Sequence, residues 1–287
     1  MATYQIITDS CCDFTQQQFE QNDVLCVPLT VVYNGEAHDN FSDAASVKAF
    51  YDILREGVTA TTSAVNPEGW AKVMEPALAA GEDVLAICFS SGLSTTYQSA
   101  VIAAADLQEK YPWRKIVVLD TASAALGQGL LVYNAAKRRE EGYSLEQLHS
   151  WVEENKLHIC HWVTVDDLNH LKRGGRISAA TAFVGGMLGI KPIIHVDNEG
   201  RLVNIGKCRG RKAAMELISD KLAQTGTDVE TIFIAHGDCP EDAAALEKLC
   251  RAKCPQVKNV MTGYVGGVIG AHTGPGVLVV FFLGEGR

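Results

Sequence analysis

Short apolar runs alternate with segments of helical spacing through the first half of the chain. Strands are predicted at residues 5–9, 24–32, 84–89 and 116–119. Each run is bounded by polar turn residues, which is typical of parallel strands buried on both faces of a sheet. Helices are predicted at residues 14–21, 46–56 and 95–110. The alternation predicts a three-layer α/β/α domain with a parallel sheet, and Asn34-Gly35 indicates a tight hairpin turn.

The second half of the chain has more predicted strands and fewer helices. Strand candidates lie at residues 158–165, 189–196, 201–207, 231–235, 257–263 and 277–283. Helices are predicted at residues 142–154, 210–224 and 240–253. Residues 197–200, Asp-Asn-Glu-Gly, favour a turn between two antiparallel strands. We therefore expect a two-layer α+β domain with a six-stranded mixed sheet.

The domain boundary is predicted near residue 156, which gives an N-terminal domain of residues 1–156 and a C-terminal domain of residues 157–287. No stretch rich in Pro, Gly or Ser marks a linker there. The two domains are therefore expected to pack directly against each other. An interface between domains is a usual place for a ligand site.

Composition places the chain among globular proteins and excludes several classes of function. Hydrophobic residues make up 47% of the 287 residues, and the net charge of −9 argues against a general nucleic-acid binder. The sequence has no signal-peptide pattern and no run of about eighteen apolar residues, so no membrane span is expected. Nine cysteines without a secretion signal favour reduced thiols and a cytoplasmic location.

The residue types at His158, Cys160 and His161 are those of a zinc site. The alternation through residues 158–163 favours a strand instead. No second ligand pair lies at the spacing usual for zinc. We expect no metal and no other cofactor.

Hydroxyl-rich segments follow three of the predicted strands, at Thr8-Asp9-Ser10, residues 90–96 and residues 120–123. A fourth such segment, residues 59–63, precedes Pro67. Ligands of open parallel sheets bind beyond the carboxyl ends of the strands. For any one segment alone a helix N-cap is the favoured interpretation, but together they favour a polar site on one rim.

Two glycine-containing segments also carry groups that bind anions. In residues 168–178 a helical turn leads through two basic residues and two glycines to Arg176. Its planar fork matches a carboxylate or phosphate, while a helix end capped by glycine is the alternative interpretation. In residues 266–276, His272 lies among glycines. Because histidine titrates near neutrality, it can donate to an anion or act as an acid or base.

The order of these motifs resembles the DegV family of bacterial fatty-acid-binding proteins. The match runs from residue 4 to about residue 283, and its most specific parts are the Gly-Gly-Arg-Ile-Ser and His-Thr-Gly-Pro-Gly blocks. Weaker motifs follow in consistent order: Thr8-Asp9-Ser10, Val27-Pro28-Leu29, Thr62-Ser63, Ser90-Ser91-Gly92-Leu93-Ser94, Ile190-Lys191-Pro192-Ile193, Arg209-Gly210 and His236-Gly237.

This resemblance implies a carrier that is not an enzyme and holds one long-chain fatty acid. It implies that the carboxylate lies where the domains meet, and that a partner fatty acid kinase uses ATP to make acyl-phosphate for phospholipid synthesis. The residues implied in carboxylate binding are Thr62, Ser63, Ser94, Thr95 through its backbone, Arg176 and His272. The family commonly has Leu-Ser-Gly-Thr where this chain has Leu93-Ser94-Thr95-Thr96, which adds a Cβ beside the site.

A lipid ligand would also explain why hydrogen-bond donors occur beside apolar segments. Burying about fifteen carbons of a sixteen-carbon chain at ~0.8 kcal/mol each is favourable by about 12 kcal/mol. The buried carboxylate then needs converging hydrogen-bond donors. Candidates for the tunnel wall, with core packing as the alternative role, are Phe183, Met187, Leu188, Val265 and Ile269.

Three other functions are less consistent with the sequence or rest on fewer of its motifs. A serine hydrolase acting on an acyl ester would use Ser94, His272 and an aspartate such as Asp9, but the chain has no Gly-x-Ser-x-Gly elbow. A nucleotide-dependent kinase would need a glycine-rich phosphate loop that the chain does not contain. A carrier outside kinase pathways and a transient contact with a membrane surface remain open. Basic residues for a partner surface, or simply for solvent, are Lys172, Arg173, Arg201 and Arg209.

Overall fold

The structure is a computed structural model that describes residues 4–40, 43–178 and 189–287, and its strands form three sheets. The strands are β1 (Tyr4–Asp9), β2 (Val24–Val27), β3 (Thr30–Tyr33), β4 (Glu36–Asp39), β5 (Thr61–Ser63), β6 (Asp83–Cys88), β7 (Ile116–Asp120), β8 (Ile159–Thr164), β9 (Ile190–Val196), β10 (Leu202–Arg209), β11 (Gly226–His236), β12 (Asn259–Tyr264) and β13 (Leu278–Gly284). The helices of the described residues are α1 (Gln16–Gln21), α2 (Ala44–Arg55), α3 (Pro67–Ala79), α4 (Thr96–Lys110), α5 (Leu126–Glu140), α6 (Leu145–Asn155), α7 (Asn169–Arg173), α8 (Arg211–Thr225), α9 (Pro240–Lys253) and α10 (Gly267–Thr273).

The first sheet is parallel, with the strand order β2-β1-β6-β7. Successive residues of its central strands point to opposite faces. Ile7 and Ala86 therefore share a core with α3 and α4, whereas Ile6 and Leu85 share one with α5 and α6. All four side chains are fully buried, as expected for strands covered on both sides. The predicted three-layer α/β/α arrangement is confirmed.

The prediction of one strand over residues 24–32 is wrong, because the strand is interrupted at Pro28. β2 ends in the parallel sheet, and β3 begins a separate antiparallel sheet with the order β4-β3-β5. Proline has no N–H to donate to a strand ladder, so a break is favoured there. The hairpin turn predicted at Asn34-Gly35 joins β3 to β4, with φ angles of 52° and 80°.

The second half forms a six-stranded mixed sheet with the order β10-β9-β8-β13-β11-β12. The pair β11 and β12 is parallel, and the other neighbours are antiparallel. The predicted turn over residues 197–200 joins β9 to β10. Helices α8 and α9 cover one face, where Ile218, Leu246 and Phe282 share a core. This confirms the predicted two-layer domain with six strands.

Helix α5, which was not predicted from the sequence, lies between the two large sheets. Its Leu126 and Leu130 are buried in one core with Ile87 of the parallel sheet and Phe233 of the mixed sheet. A helix covered on more than one face lacks the one-sided apolar stripe by which amphipathic helices are recognised. The two halves therefore pack directly. The boundary at residue 156, between the end of α6 and the start of β8, stays a prediction.

The Arg287 side chain joins segments from both halves. It donates to the carbonyl oxygens of Lys156 at 3.0 Å, Ile159 at 2.9 Å and Asp197 at 3.1 Å, and to Ser123 Oγ at 2.7 Å. Burial lowers the pKa of Arg287 to about 10, so the guanidinium is still charged at neutral pH. These bonds hold the loop before α5 against the turn between β9 and β10.

Candidate functional site

A cavity of about 520 Å³ lies where the loops after β6 and β7 meet β8, β9 and β13. This volume is within the range usual for small-molecule sites. The six residues implied in carboxylate binding all line it: Thr62, Ser63, Ser94, Thr95, Arg176 and His272. They come from four segments, namely β5, the loop before α4, the turn after α7, and α10. The tertiary structure therefore brings these six residues together. Their role in carboxylate binding stays a prediction.

The turn after α7 directs Arg176 into the cavity. Helix α7 ends in a Schellman motif, in which the Arg176 N–H donates to Leu171 O at 2.9 Å and the Gly175 N–H donates to Lys172 O at 3.0 Å. Gly175 has a φ of 71°, which glycine adopts without strain. The two interpretations of this segment, a capped helix end and an anion-binding arginine, are therefore compatible in one structure. Lys172 is exposed.

The Arg176 guanidinium is half-buried and bonded only in part. Its Nε and Nη2 atoms donate to Leu93 O at 3.2 and 3.0 Å, and Nη1 donates to Gly174 O at 2.5 Å. Burial lowers the pKa of Arg176, but an arginine keeps its proton in proteins. Within residues 4–40, 43–178 and 189–287, no carboxylate forms a salt bridge with it. A positive charge without a described counter-ion therefore borders the cavity.

His272 lies beside Arg176 and carries no charge at neutral pH. Its Nε2 atom is 2.9 Å from Thr62 Oγ1, and its buried Nδ1 atom has no hydrogen-bond partner among the described residues. Burial, reinforced by the charge of Arg176, lowers the pKa of His272 from 6.5 to about 4. A Cβ on Gly174 would lie 2.1 Å from Nδ1, so a residue without a side chain is needed there.

Ser94 and Thr95 place the amino end of α4 against the cavity. Ser94 Oγ accepts from the Thr96 N–H at 3.2 Å and lies 2.8 Å from Thr96 Oγ1. Thr95 is the N-cap residue, and its side chain makes no capping bond. The amino end of a helix carries a partial positive charge and unpaired N–H groups, which favour a bound anion. Thr95, present where the family commonly has glycine, has an exposed side chain at this edge.

Comparison with known proteins identifies the family. Residues 3–285 match the family model described as "Uncharacterised protein, DegV family". A DegV domain-containing protein of Clostridium perfringens is 44% identical over 288 residues, which cover 99% of each chain. The chain belongs to the DegV family.

Solved structures of other DegV proteins have the same fold. A DegV family protein from Thermus thermophilus, described with fatty acid binding, is 32% identical with a TM-score of 0.87, and the match covers 98% of this chain and 99% of that one. DegV from Bacillus subtilis, described as a fatty acid binding protein, is 30% identical with a TM-score of 0.84, covering 99% and 100%. The family resemblance inferred from the motifs is confirmed.

The hydrolase interpretation finds no support in the geometry of this DegV protein. Ser94 Oγ lies against Thr96, while His272 Nε2 lies against Thr62. The Asp9 carboxylate accepts from the backbone N–H groups of Phe89 and Cys11, at 2.7 and 3.0 Å, and complete burial raises its pKa to about 6. In the part of the chain described, no carboxylate orients His272, as a hydrolase triad requires.

The inner wall of the cavity is largely apolar. Of the predicted wall residues, Val265 and Ile269 line it, whereas Phe183, Met187 and Leu188 lie outside the described residues. Strands β8 and β13 also contribute to the wall, through His161, Val163 and Phe281, and this was not predicted from the sequence. Their alternation predicted strands, but it carried no signal that one face borders a cavity.

No group of three or more His, Cys, Asp and Glu side chains in residues 4–40, 43–178 and 189–287 is arranged to hold a metal ion. Within the same ranges, no helix combines the length and apolar character needed to cross a membrane.

We expect the His272 imidazole of ligand-free protein to titrate near pH 4. The unfolded chain binds this proton near pH 6.5, so the unfolded state gains stability as the pH falls from 6.5 to 4. Protonation of His272 in the unfolded chain therefore lowers the free energy of unfolding by about 3 kcal/mol over that pH range. NMR titration of the ring, assigned with His272→Gln, measures the pKa directly. The pH dependence of unfolding in the two proteins gives the energy. A midpoint near 6.5 would show that burial does not control this histidine.

Proposed function

We propose that this protein binds one long-chain fatty acid, with the carboxylate at the polar end of the cavity and the acyl chain along its apolar wall. The observation that carries the proposal is the half-buried Arg176 charge, with no described counter-ion, which borders a largely apolar cavity. Bringing a charge out of water is unfavourable unless it is paired. The fatty acid binding described for the relatives from Thermus thermophilus and Bacillus subtilis supports the same ligand.

The donor count at Arg176 is consistent with one carboxylate. A guanidinium has five N–H donors, and three are used by Leu93 O and Gly174 O. One N–H on Nη1 and one on Nη2 are left to donate. In our proposal these two face the carboxylate oxygens, while the backbone acceptors hold the guanidinium plane.

Thr62 and His272 supply a second, neutral donor. When His272 carries its proton on Nε2, that N–H donates to Thr62 Oγ1, 2.9 Å away. The Thr62 hydroxyl proton is then available to the carboxylate. Ser63, Ser94 and the Thr95 backbone at the amino end of α4 complete the proposed set. Because His272 is neutral, the head group meets one full positive charge and several dipoles.

We further propose that the bound acid is presented to a fatty acid kinase in the cytoplasm. The kinase would transfer the γ-phosphoryl group of ATP to a carboxylate oxygen, giving acyl-phosphate for phospholipid synthesis and ADP. A second cleft of about 450 Å³, lined by Gly92, Gly175, Arg176 and Arg201, lies beside the cavity. Its position next to Arg176 supports access to the head group from outside, and the exposed Lys172 and Arg173 lie at the end of the adjoining helix α7.

Purified protein should release a fatty acid at about one molecule per chain. Burial of the acyl chain makes loss into water slow, so the ligand is expected to survive mild purification. Mass spectrometry of an organic extract from denatured protein identifies and counts it. Absence of a fatty acid, both in that extract and after adding fatty acid back to delipidated protein, would refute the binding function.

The Arg176→Ala variant should bind fatty acid about 30-fold more weakly, because it removes the charged partner of a partly buried carboxylate. Lys172→Ala, on the same turn but exposed, is the matched control and should change affinity by less than about threefold. Competition with a fluorescent fatty acid on delipidated protein measures both. Equal effects would mean that the wrong cation was assigned.

Delivery to a kinase is tested with the kinase encoded in the same genome. Protein loaded with fatty acid, kinase and ATP should give acyl-phosphate, which hydroxylamine converts to a hydroxamate by attack at the acyl carbon and release of phosphate. The Arg176→Ala variant should yield at least tenfold less at limiting fatty acid, because it is poorly loaded. If hydroxamate forms equally without this protein, the carrier does not take part in phosphorylation.

A further inference from the structure

Three polar side chains, Asp9, Ser10 and Asn40, lie behind the lining of the cavity. Asp9 ends β1 and is fully buried, Ser10 follows it and is 8% exposed, and Asn40 follows β4. None of the three is among the described residues that line the cavity. Buried polar groups need hydrogen-bond partners. For this Asp9-Ser10-Asn40 group, the partners are backbone groups of the cavity wall.

Each side chain of the group accepts a hydrogen bond from the backbone N–H of a residue that lines the cavity. These bonds run from Phe89 N to Asp9 Oδ2 at 2.7 Å, from Leu29 N to Ser10 Oγ at 2.9 Å, and from Val268 N to Asn40 Oδ1 at 2.9 Å. Asn40 Nδ2 also donates to Ser10 O at 2.8 Å, which links two members of the group. The group therefore fixes the backbone of three separate parts of the wall.

The bond to Asp9 fixes the start of the loop that orients Arg176. Phe89 is the first residue of the loop 89–95, which follows β6. Leu93 O, in the same loop, accepts from Nε and Nη2 of Arg176 at 3.2 and 3.0 Å. A shift of this loop would therefore move the acceptor that holds the guanidinium in place.

The other two bonds fix the segments that carry Thr62 and His272. Through the Leu29 N–H, Ser10 holds the residue before β3, and β3 pairs with β5, the strand of Thr62. Asn40 holds the first turn of α10, the helix of His272. These two segments meet at the 2.9 Å contact between Thr62 Oγ1 and His272 Nε2.

We propose that the Asp9-Ser10-Asn40 group positions the head group of the fatty acid, with Asp9 orienting Arg176 through the Phe89 N–H. This inference rests on the proposed fatty acid binding, and the group acts without touching the ligand. The Asp9 carboxylate accepts from two backbone N–H groups at once, and a neutral amide of the same shape has only one oxygen for them. Binding side chains keep their geometry where hydrogen bonds behind them lock it.

The test is Asp9→Asn, which keeps the shape of the side chain and replaces one acceptor oxygen by a donor. Delipidated wild-type and variant proteins are compared for binding of octadecanoic acid and of octadecan-1-ol, by competition with a fluorescent fatty acid. The alcohol has the same chain length and no carboxylate. The variant should bind the acid about tenfold more weakly, because a buried N–H loses its acceptor and the loop shifts. Its affinity for the alcohol, which depends on burial of the chain, should change by less than about twofold.

Thr8→Val is the matched control. Thr8 is fully buried beside Asp9, but its hydroxyl donates to Ile87 O within the parallel sheet at 2.6 Å. Its loss destabilises the fold without releasing the cavity wall, so the ratio of acid to alcohol affinity should stay as in wild type. Asn40→Ala releases the first turn of α10 and should lower that ratio about fivefold. This second variant tests the group even if Asp9→Asn does not fold, and retained binding of the alcohol shows that a variant is folded.

The possible failures are distinguishable. The positioning role is overturned, and fatty acid binding stands, if Asp9→Asn binds the acid as tightly as wild type or loses acid and alcohol in equal proportion. An unchanged ratio in Asn40→Ala, or an equal fall of the ratio in Thr8→Val, overturns it as well. If wild-type protein does not bind octadecanoic acid, the proposed function itself is overturned.

Discussion

Helix α5 has to bury apolar side chains against two sheets at once, and this requirement holds the molecule together. Leu126 and Leu130 share one core with residues of the parallel sheet and of the mixed sheet. The cavity lies at the amino end of this helix, where Ala124 and Ala125 line it. The candidate site is therefore a consequence of how the halves pack. Arg287 reinforces the same junction by bonding carbonyl groups on both sides of it.

Burial sets the charge of the site because it acts on two neighbouring basic side chains whose ordinary pKa values are far apart. It lowers the pKa of both Arg176 and His272. The intrinsic pKa of arginine is so high that its charge survives, while histidine loses its proton near neutrality. The Arg176 charge strengthens the effect on His272. The outcome is a site with one positive charge and a set of neutral polar groups.

The opposite end of the cavity is chemically distinct. Its wall is built from β8, β9 and β13, whose alternating side chains present one face to the helices α8 and α9 and the other to α5 and the cavity. On that second face most residues are aliphatic or aromatic, and His161 is the exception.

The sequence by itself determined the elements whose signals are local. Parallel strands appeared as apolar runs, and Asn34-Gly35 marked a turn that requires positive φ at both residues. The resemblance in motif order identified six residues that line the cavity. Tertiary structure alone decided that the residues on either side of Pro28 join different sheets and that α5 lies between the layers. It also decided that Thr62 contacts His272, which is 210 positions away. Periodicity records which face of an element is buried, but which partner buries it depends on packing between residues distant along the chain. For the same reason, the sequence identified His161 as part of a strand, and only the packing of β8 against α5 and β13 placed it in the wall of the cavity.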